Sequence, residues 1–426
     1  MKTLTNSRNL TLVRKQVDQP VDFLALWEQS PHYQKSYWAI PDEGLEFIAL
    51  GSALHFGTQK RRNRFDSVRE GIRNLQFDVV GEPGPDLSAG ILVGGFSFSD
   101  REIERHPDWK VFGGGELVLP EIFIVRCHGS TWITHVDNTE LPDLSPSLEQ
   151  HLGHVSSVDH RNDKAYLKLV ARALEEIHNG NMDKVVTARS LSLPANLNSA
   201  ALLERLKVRH PSCATFAIAR GDQVFLGSSP ETLIKMNGSQ VQTAALAGSR
   251  PRHEHPGADA RLRAELLASP KERHEHDIVV KDIKESLTTA GVRLDSLSPA
   301  GVMKLRRIQH LHTPISGLVP DDKDILDLVR ALHPTPAVAG LPRQTAQDWI
   351  DENESMDRGW YAAPVGWMTP NGDGEFRVAL RSALLTSNAL TLFAGGGIVD
   401  GAEPEHELAE TATKFEALLG ALDLTP

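Results

Sequence analysis

Residues 393–414 read FAGGGIVDGAEPEHELAETATK, and this stretch organises the interpretation of the whole chain. The apolar run just before it, residues 390–393, predicts a short buried strand. Three glycines follow at 395–397, and we interpret them as a turn, because glycine lets backbone N–H groups approach a ligand closely. Pro404 suits the first turn of a helix, where the missing N–H of proline is not needed. The stretch therefore predicts a strand, a Gly-rich turn and a helix.

The predicted helix carries a charged stripe beside an apolar one. The charged residues recur at spacings of four, three and four, and are Glu403, Glu407, Glu410 and Lys414. The apolar residues are Leu408, Ala412, Phe415, Leu419 and Leu422. Residues three or four apart share one helix face. This pattern is typical of a solvated acidic face with a helix salt bridge, or of carboxylates at the edge of a packed face.

A second predicted helix, near residues 261–290, carries a matching pair of carboxylates. Its middle reads SPKERHEHDIVVKDI, with Glu272 and Glu275 one turn apart and in line with Val279 and Ile283. Like carboxylates at a buried edge repel one another and need a cation. Their hard oxygens, with room for water, suit Mg²⁺ better than zinc. The two helices predict an Mg²⁺ site between them, and the adjacent Gly-rich turn indicates an anionic substrate.

Length and composition set the general class. A chain of 426 residues forms one large domain or two. Its 24% charged and 40% hydrophobic residues are ordinary for a globular protein. The net charge of −11 argues against a nucleic-acid partner, and two cysteines imply no disulfide framework. The N-terminal segment lacks the apolar core of a signal peptide, and no run has the length of a membrane span. We therefore expect a cytoplasmic protein with no membrane partner.

The first 150 residues show strand and turn patterns without an evident chemical cluster. Short apolar segments begin at residues 23, 36 and 46, and some of these should be strands. Residues 66–77 predict a helix, and the segments starting at 91, 115 and 131 predict strands. We expect this half to complete a sheet and wall a cavity. The polar segment 137–160 is the candidate connection between the halves.

The second half carries further candidate residues. MDKVVTARSLSL predicts a strand with Lys184 on the same side as Val186 and Ala188. Because burying an ammonium is costly, Lys184 either reaches solvent from the strand end or acts as a general base. Glu231, just before another strand, is either an acid lining a cavity or a surface turn residue. Arg381, within an apolar segment, predicts either a bidentate anion partner or an inter-strand salt bridge.

Other segments of this half predict structure more than chemistry. Residues 213–251 predict a β-meander with hairpin turns at 220–222 and 237–238. The proline-broken segment from 331 cannot be regular helix or central strand, and residues 337–340 could lie close to a ligand. RHEHP at 252 and RHEHD at 273 lack the helical spacing and cysteine partners of a zinc site, and we interpret them as solvated.

Ten sequence blocks now stand in order: DKVVTAR, GSSPETL, LAGSRP, KERHEHDIVV, QHLHTPISG, LHPTPAVAG, YAAPVGW, ALRSALL, FAGGGIVDG and ELAETATKFEAL. This set resembles the chorismate-utilising enzymes and, more narrowly, the isochorismate synthases of menaquinone or siderophore pathways. The resemblance is specific over residues 160–423 and looser over 1–150, where GGFSF and LVLPEIFIVR also fit. It implies one domain over 1–426 with an α/β (α+β) fold like anthranilate synthase component I. Two stacked antiparallel sheets would have helices outside and the active site between them.

The resemblance also implies a metal site. Glu275 and Glu410 match the Mg²⁺ ligands of the family, and Glu272 and Glu407 match supporting carboxylates that hold the metal's waters. The metal would take the ring carboxylate of chorismate. Mg²⁺ is the one cofactor that we expect.

Roles for the remaining candidates follow in the same way. Lys184 matches the lysine that activates water to attack C2, and Glu231 matches the acid that protonates the departing C4 hydroxyl. The other matched positions would form the substrate pocket. They are Gly248, Ser249, His310 and Ala337 around the ring, and Tyr361, Arg381, Gly395 and Lys414 around the enolpyruvyl carboxylate.

Differences among relatives narrow the expected activity. Aminating members typically have glutamine at the position of Lys184, and aminodeoxychorismate synthases often have a nucleophilic lysine at the position of Ala247. Because this chain has neither residue, water is the expected nucleophile. Salicylate synthases usually have threonine at Ala337, yet Tyr361 and Leu380 resemble their pattern. We expect an isochorismate synthase, which is an isomerase (hydroxymutase). The alternatives are a salicylate synthase that eliminates pyruvate and a non-catalytic binding protein on this fold. We expect no amidotransferase subunit, and a monomer or weak dimer.

Overall fold

Short apolar segments separated by turns give the chain many β-strands. The computed structural model describes residues 10–102, 106–145, 147, 151–155, 163–296 and 298–424, and those residues contain 23 strands. The strands are β1 (Leu10–Val17), β2 (Gln34–Ile40), β3 (Leu45–Leu50), β4 (Leu54–Thr58), β5 (Phe77–Gly81), β6 (Leu92–Phe96), β7 (Gly115–Leu119), β8 (Ile122–Cys127), β9 (Ser130–Val136), β10 (Gly153–Val155), β11 (Lys184–Leu197), β12 (Ala214–Arg220), β13 (Gln223–Ser229), β14 (Thr232–Asn237), β15 (Gln240–Pro251), β16 (Arg293–Leu294), β17 (Gly301–Lys304), β18 (Ile308–Leu318), β19 (Gly340–Leu341), β20 (Pro364–Met368), β21 (Gly374–Val378), β22 (Ser382–Leu385) and β23 (Ala389–Val399).

The α-helices are distributed along the chain and pack on the sheets. Within the described residues they are α1 (Phe23–Gln29), α2 (Arg64–Ile72), α3 (Asp163–His178), α4 (Ser199–Arg209), α5 (Pro256–Ala268), α6 (Pro270–Thr289), α7 (Ile325–Leu332), α8 (Arg343–Asn353) and α9 (Pro404–Leu419). Among the helices described, none combines the length and apolarity that a membrane span requires.

Two sheets form the framework. The described part of the larger sheet has 13 strands in the order β10-β11-β23-β22-β13-β12-β2-β3-β8-β9-β1-β5, with β19 also paired to β11. The smaller has ten, in the order β16-β18-β15-β14-β21-β20-β6-β7-β4, with β17 also paired to β18. Within these described strands the pair β1–β5 is parallel and the others are antiparallel. The predicted α/β fold with two sheets and outer helices is confirmed.

The main core lies between the sheets. It joins Trp38 and Phe216 of the larger sheet to Ile234 and Phe376 of the smaller one, all at most 2% exposed. A second core lies on the other face of the larger sheet and takes in apolar residues of α1, α4 and α9. Each sheet contains strands from both halves of the sequence. The expected connection at 137–160 includes β10, while its residues 146, 148–150 and 156–160 lie outside the described part.

The helix predicted near 261–290 is two helices. Ser269 separates α5 from α6 with an extended backbone (φ −67°, ψ 117°), and its hydroxyl accepts a hydrogen bond from the Glu272 N–H at 3.4 Å. The break has a local cause, because a residue that precedes proline is disfavoured in the helical conformation. The helix α6 therefore begins at Pro270, two residues before Glu272, and this start fixes where its carboxylates project.

The predicted turn at residues 395–397 is wrong. These glycines lie inside β23 and pair with β11, where Gly395 is opposite Ala188 and Gly397 is opposite Val186. The apolar run at 390–393 is therefore the first part of a longer strand. The absence of side chains here leaves room for the groups packed against β23, as described below.

Candidate active site

The candidate site forms where β11 and β23 of one sheet face β15 and β18 of the other. The helix α9 packs against β23, and α6 packs against β15. This arrangement brings the two acidic helices to the same region as the start of β11. Residues far apart in sequence thereby come into contact.

Lys184 is fully buried at the start of β11. Its Nζ donates a hydrogen bond to Oε1 of Glu275 at 2.8 Å, and its side chain is 0% exposed. The alternative in which this lysine reaches solvent is therefore wrong. Gly397 makes room for the pair, because a Cβ on it would lie 2.6 Å from Glu275 Oε1 and 3.0 Å from Lys184 Cε.

Ser249 links the two acidic helices. Its backbone N–H donates to Glu272 Oε2 on α6 at 2.9 Å, and its hydroxyl donates to Glu410 Oε1 on α9 at 3.4 Å. The same hydroxyl lies 3.2 Å from Nδ1 of His310 on β18. Just before it, Gly248 forms a β-bulge in β15 with φ 77°, which packs its backbone against Glu272. A small residue pair on β15 thus sets the spacing between the helices.

The carboxylates of α9 differ in their surroundings. Burial and then the charge of Glu410 raise the pKa of Glu407 to about 7, although Lys271, which lies 3.3 Å away, acts to lower it. Burial also acts to raise the pKa of Glu410, but the Lys414 ammonium at 2.7 Å outweighs it and the net pKa falls to about 2. One of two neighbouring carboxylates is thus driven toward its neutral form, which a bound cation would reverse.

The donor set fits Mg²⁺. In the part of the chain that the structure describes, no three His, Cys, Asp or Glu side chains are grouped as a metal site. Mg²⁺ needs no such group, since it is usually held by one or two carboxylates and several waters. Each of the four acids has a cationic partner: Arg250 for Glu272, Lys271 for Glu407, Lys184 for Glu275 and Lys414 for Glu410. The assignment of Glu275 and Glu410 as direct ligands therefore stays a prediction from the family resemblance.

Glu231 lies between β13 and β14 with its side chain in the interior. Burial raises its pKa to about 7, although the positive charges of Arg381, Lys184 and Lys414 act to lower it. Its backbone is fixed on both sides, because its N–H donates to Ser229 Oγ at 3.2 Å and its carbonyl accepts the Val378 N–H at 3.1 Å. A carboxyl group in this state can hold a proton near neutral pH.

The apolar pattern places Arg381 within a strand, and this prediction is wrong. It occupies the bend between β21 and β22 with φ 49°, and its carbonyl accepts the Ser228 N–H at 3.1 Å. It makes no ion pair with any carboxylate of the described residues. An arginine in the left-handed region is uncommon. The alternative of an inter-strand salt bridge is therefore not found within the described residues.

The pocket candidates Tyr361, Gly395 and Lys414 lie close together. Lys414 Nζ donates to the Gly395 carbonyl at 2.7 Å. A Cβ on Gly395 would lie 3.1 Å from the hydroxyl of Tyr361. The ring of Tyr361 stacks on the ring of Phe393 at a centroid distance of 5.2 Å. These contacts join β23 to α9 and to the segment before β20.

His310 and Ala337 complete the set of candidates. Burial lowers the pKa of His310 to about 3, which keeps the imidazole neutral, and Nε2 has no hydrogen-bond partner among the described residues. Ala337 lies between α7 and β19 and packs partly buried against the main core. Hydrogen bonds and ion pairs join Lys184 to Glu275, Ser249 to Glu272, His310 and Glu410, and Lys414 to Glu410 and Gly395, whereas Ala337 makes no such contact among the described residues.

One supporting pair was not predicted. Arg358 and Glu354 are completely buried behind β11, with Nη2 of Arg358 2.6 Å from Glu354 Oε1. Arg358 donates to the carbonyls of Val186 and Val338, and Glu354 accepts the Ala188 N–H at 2.8 Å. In the sequence this pair has only an i,i+4 spacing in a polar segment, which is also typical of solvent-exposed helix pairs.

Known proteins resemble this chain in sequence and in fold. The family described as "Chorismate binding enzyme" matches residues 2–423. The salicylate biosynthesis isochorismate synthase of Pseudomonas aeruginosa is 36% identical over 440 residues, covering 96% of this chain and 90% of that protein. The menaquinone-specific isochorismate synthase MenF of Escherichia coli superposes with a TM-score of 0.82 at 27% identity, covering 97% of this chain and 95% of that one. Anthranilate synthase component I of Streptococcus pneumoniae, at 20% identity, has a TM-score of 0.71 over 88% of this chain and 92% of that one, and shares the fold.

Proposed function

The chain belongs to the chorismate binding enzymes, and from that membership we propose that it is an isochorismate synthase that converts chorismate to isochorismate. The observation that carries the proposal is the pair of buried proton-transfer groups. Lys184 is fully enclosed, and Glu231 is a buried acid whose pKa is raised by burial to about 7. Lys184 begins β11, Glu231 lies between β13 and β14, and the two groups interact electrostatically.

The proposed reaction uses these groups in opposite directions. Lys184, as the free amine, takes a proton from water as the water oxygen bonds to C2 of the ring. The ring double bond shifts, the bond from C4 to its hydroxyl breaks, and Glu231 donates the proton that releases the hydroxyl as water. One water is consumed and one is released, so the net change is an isomerisation. General base and acid catalysis contribute roughly 10²–10⁴-fold each.

The substrate is a dicarboxylate, and the site offers a different anchor for each end. We assign Arg381, Lys414, Tyr361 and Gly395 to the enolpyruvyl carboxylate. Arg381 lacks a carboxylate partner within the described residues, so its guanidinium is available to an anion. Local positive charge of this kind attracts the substrate despite the net charge of −11.

At the other end we assign Glu275 and Glu410 as ligands of Mg²⁺, with Glu272 and Glu407 holding its waters. When bound, the ion would act as a Lewis acid and neutralise the ring carboxylate. Ser249 supports this assignment, because its N–H and hydroxyl hold the two helices at a defined separation. Ser249, Gly248, His310 and Ala337 are assigned to the ring itself.

Water as the nucleophile is supported by two residues. Lys184 is a base, which ammonia as a nucleophile would not require, and Ala247 offers no amine for a covalent route. Two of the relatives are isochorismate synthases by their descriptions, one of salicylate biosynthesis and one specific to menaquinone. The proposal concerns that shared step.

The test is a product analysis. Purified protein is incubated with chorismate and Mg²⁺ without an ammonia source, and the products are separated by chromatography, with an EDTA control. Isochorismate that disappears with EDTA is the expected result. Salicylate with equimolar pyruvate would instead assign a lyase activity to Tyr361 and Leu380. Unchanged chorismate would contradict the proposal and favour the non-catalytic alternative.

A further inference from the structure

A cavity of about 220 Å³ adjoins Arg381, and nothing so far has given it a role. Its lining includes Ser228 and Pro230, and Pro230 directly precedes the candidate acid Glu231. The rest of the lining comes from the end of α4, the start of β18 and the last turns of α9. Arg381 therefore belongs both to the lining of this cavity and to the set of candidate site residues.

The charge of this cavity is strongly positive. Among the described lining residues there are four arginines, which are Arg209, Arg306, Arg307 and Arg381, and a single glutamate, Glu416. We call this the basic cavity. Arg306 is exposed and has no ion pair in the described part of the chain. Arg307 lies 3.9 Å from Glu416, at the limit of an ion pair, with its side chain 62% exposed. The arginines of the rim are thus largely uncompensated.

Three of these guanidinium groups lie close enough to affect the same side chain electrostatically. His210, which also lines the basic cavity, has its pKa lowered first by burial, with the charges of Arg381, Arg306 and Arg209 adding to that effect. A single side chain therefore experiences three of the four arginines. Opposing charge is limited, since Asp423 lies 3.2 Å from Arg209 but is itself 64% exposed.

A second cavity next to the site has the opposite charge. It measures about 500 Å³, and its described lining contains the carboxylates of Glu272, Glu403, Glu407 and Glu410 against only Arg250 and Lys271. We call this the acidic cavity. The two cavities share Ile308 and Thr413 in their linings, so they flank the same site. Without bound Mg²⁺, the described lining of the acidic cavity has four acidic side chains and two basic ones, so it is less attractive to a dicarboxylate than the basic cavity.

We propose that the basic cavity is the entrance through which the dianionic substrate reaches the site. The inference rests on the proposed function, since it takes the substrate to be a dicarboxylate. Arg306 and Arg307 attract the anion at the rim, and Arg381 receives its carboxylate at the inner end. A cleft lined by one sign of charge raises the local concentration of the opposite sign, even on a protein whose net charge is −11.

The experiment reverses the charge at the rim. Arg306→Glu and Arg307→Glu change exposed side chains, so the fold should persist. The matched control is Lys15→Glu, an exposed residue of β1 near the opposite edge of the larger sheet from β11. For each variant, kcat and KM are measured at constant saturating Mg²⁺ and at several salt concentrations. The Kd for chorismate is measured by calorimetry under the same conditions in the same variants combined with Lys184→Ala, so that little substrate is converted during the titration.

We expect each arginine variant to raise KM and Kd about tenfold at low salt, as electrostatic focusing predicts, while kcat changes little. The difference should shrink as salt rises, because the screening length falls from about 30 Å at 0.01 M to about 3 Å at 1 M. Lys15→Glu should match the unmodified protein throughout.

Three results would overturn the inference. An unchanged Kd and KM in both arginine variants at low salt would remove the basic cavity from the substrate's path. Lower kcat with unchanged Kd would assign the arginines to another role. A further variant, Glu403→Lys, reverses one charge of the acidic cavity. A lower Kd for chorismate in this variant, with unchanged Kd in the two arginine variants, would place the entrance in the acidic cavity. The Kd reports chorismate binding and is measured separately from product formation. Absence of isochorismate with the unmodified protein would therefore contradict the proposed function, while the Kd values would still test whether the basic cavity is the entrance.

Discussion

The Lys184 side chain is completely buried, and its replacement gives the clearest test of the proposed base. Lys184→Ala should lower kcat by roughly 10²–10⁴-fold, because proton transfer from water loses its acceptor. Chorismate binding in the presence of Mg²⁺ should persist, as measured by calorimetry. The control is Lys281→Ala on α6, whose side chain is 75% exposed. Normal turnover in Lys184→Ala would show that another group is the base.

Glu231 predicts how the reaction depends on pH. Its pKa is raised to about 7 by burial, and it must be protonated to donate. Activity should therefore be present below pH 7 and should fall as pH rises through that value. Glu231→Gln should lower kcat by about 10²-fold or more and should lose this alkaline decline, since an amide has no proton to give. A pH–rate profile of both proteins checks this, and an unchanged decline in the variant would assign it to another group.

The candidate residues could be found from local patterns, whereas their partners could not. The stripe of Glu407, Glu410 and Lys414 follows from helical spacing, which the sequence displays directly. The contact of Glu407 with Lys271 joins residues 136 positions apart, and only the packing of α6 near α9 creates it. Arg381 shows the reverse problem, because its apolar neighbours indicate a strand while its backbone turns with φ 49°.

The glycines of β23 leave room for the pair of Lys184 and Glu275, and a substitution at Gly397 tests whether that room is needed. Gly397→Ala would place a Cβ 2.6 Å from Glu275 Oε1 and so displace that carboxylate from Lys184. The side-chain end can move, so the melting temperature should change little, whereas kcat should fall about 10²-fold, as a displacement near 1 Å can cause. The control is Gly301→Ala, where the nearest atom lies at 3.7 Å. Full activity in Gly397→Ala would show that the spacing of this pair is not needed.

The sequence pattern does not always distinguish a helix from a strand. The apolar segment starting at residue 23 fits a strand by its pattern, yet it forms α1. Asp22 explains the outcome, because its carboxylate accepts the Leu24 and Ala25 N–H groups at 3.1 and 3.0 Å as an N-cap. Short apolar runs fit helix and strand alike, so the capping residue had to decide. The glycines of β23 were misassigned because a strand with three glycines is explained only by what packs against it.

The two sheets are joined by a buried ion pair that provides a test of stability. Arg220 on β12 donates to Glu116 on β7, both 4% exposed, and His55 lies 2.7 Å from the other oxygen of Glu116. Arg220→Met should lower the free energy of unfolding by about 3 kcal/mol, because Glu116 keeps a buried charge without its main partner. The double change with Glu116→Met should recover most of the loss. Urea denaturation measures both.

The activity of the folded Arg220→Met protein serves as its control. Since the pair belongs to strands away from the candidate acids, kcat should stay within about twofold of the unmodified value. A loss of activity without a loss of stability would contradict the structural role that we give to the pair.

The arrangement of the whole molecule was the least accessible to pattern analysis. From length alone the chain could have been one domain or two, and the single two-sheet fold followed only from the resemblance to a family. The reason is visible in the strand order, where β12 pairs with β2 and β20 pairs with β6. Such pairings join distant segments, and alternation within each strand carries no information about its neighbour.

The pairing of β11 with β23 has a consequence for the synthesis of the protein. Val185 pairs with Ile398, so one edge of β11 has no partner until almost the entire chain has been translated. At about 5–20 residues per second, the ribosome needs roughly 10–40 s to cover that distance. During this time the apolar strand that begins with Lys184 is exposed to other nascent chains. We expect the protein to depend on chaperones while it is being made, and to acquire its active site only after the last segment leaves the ribosome.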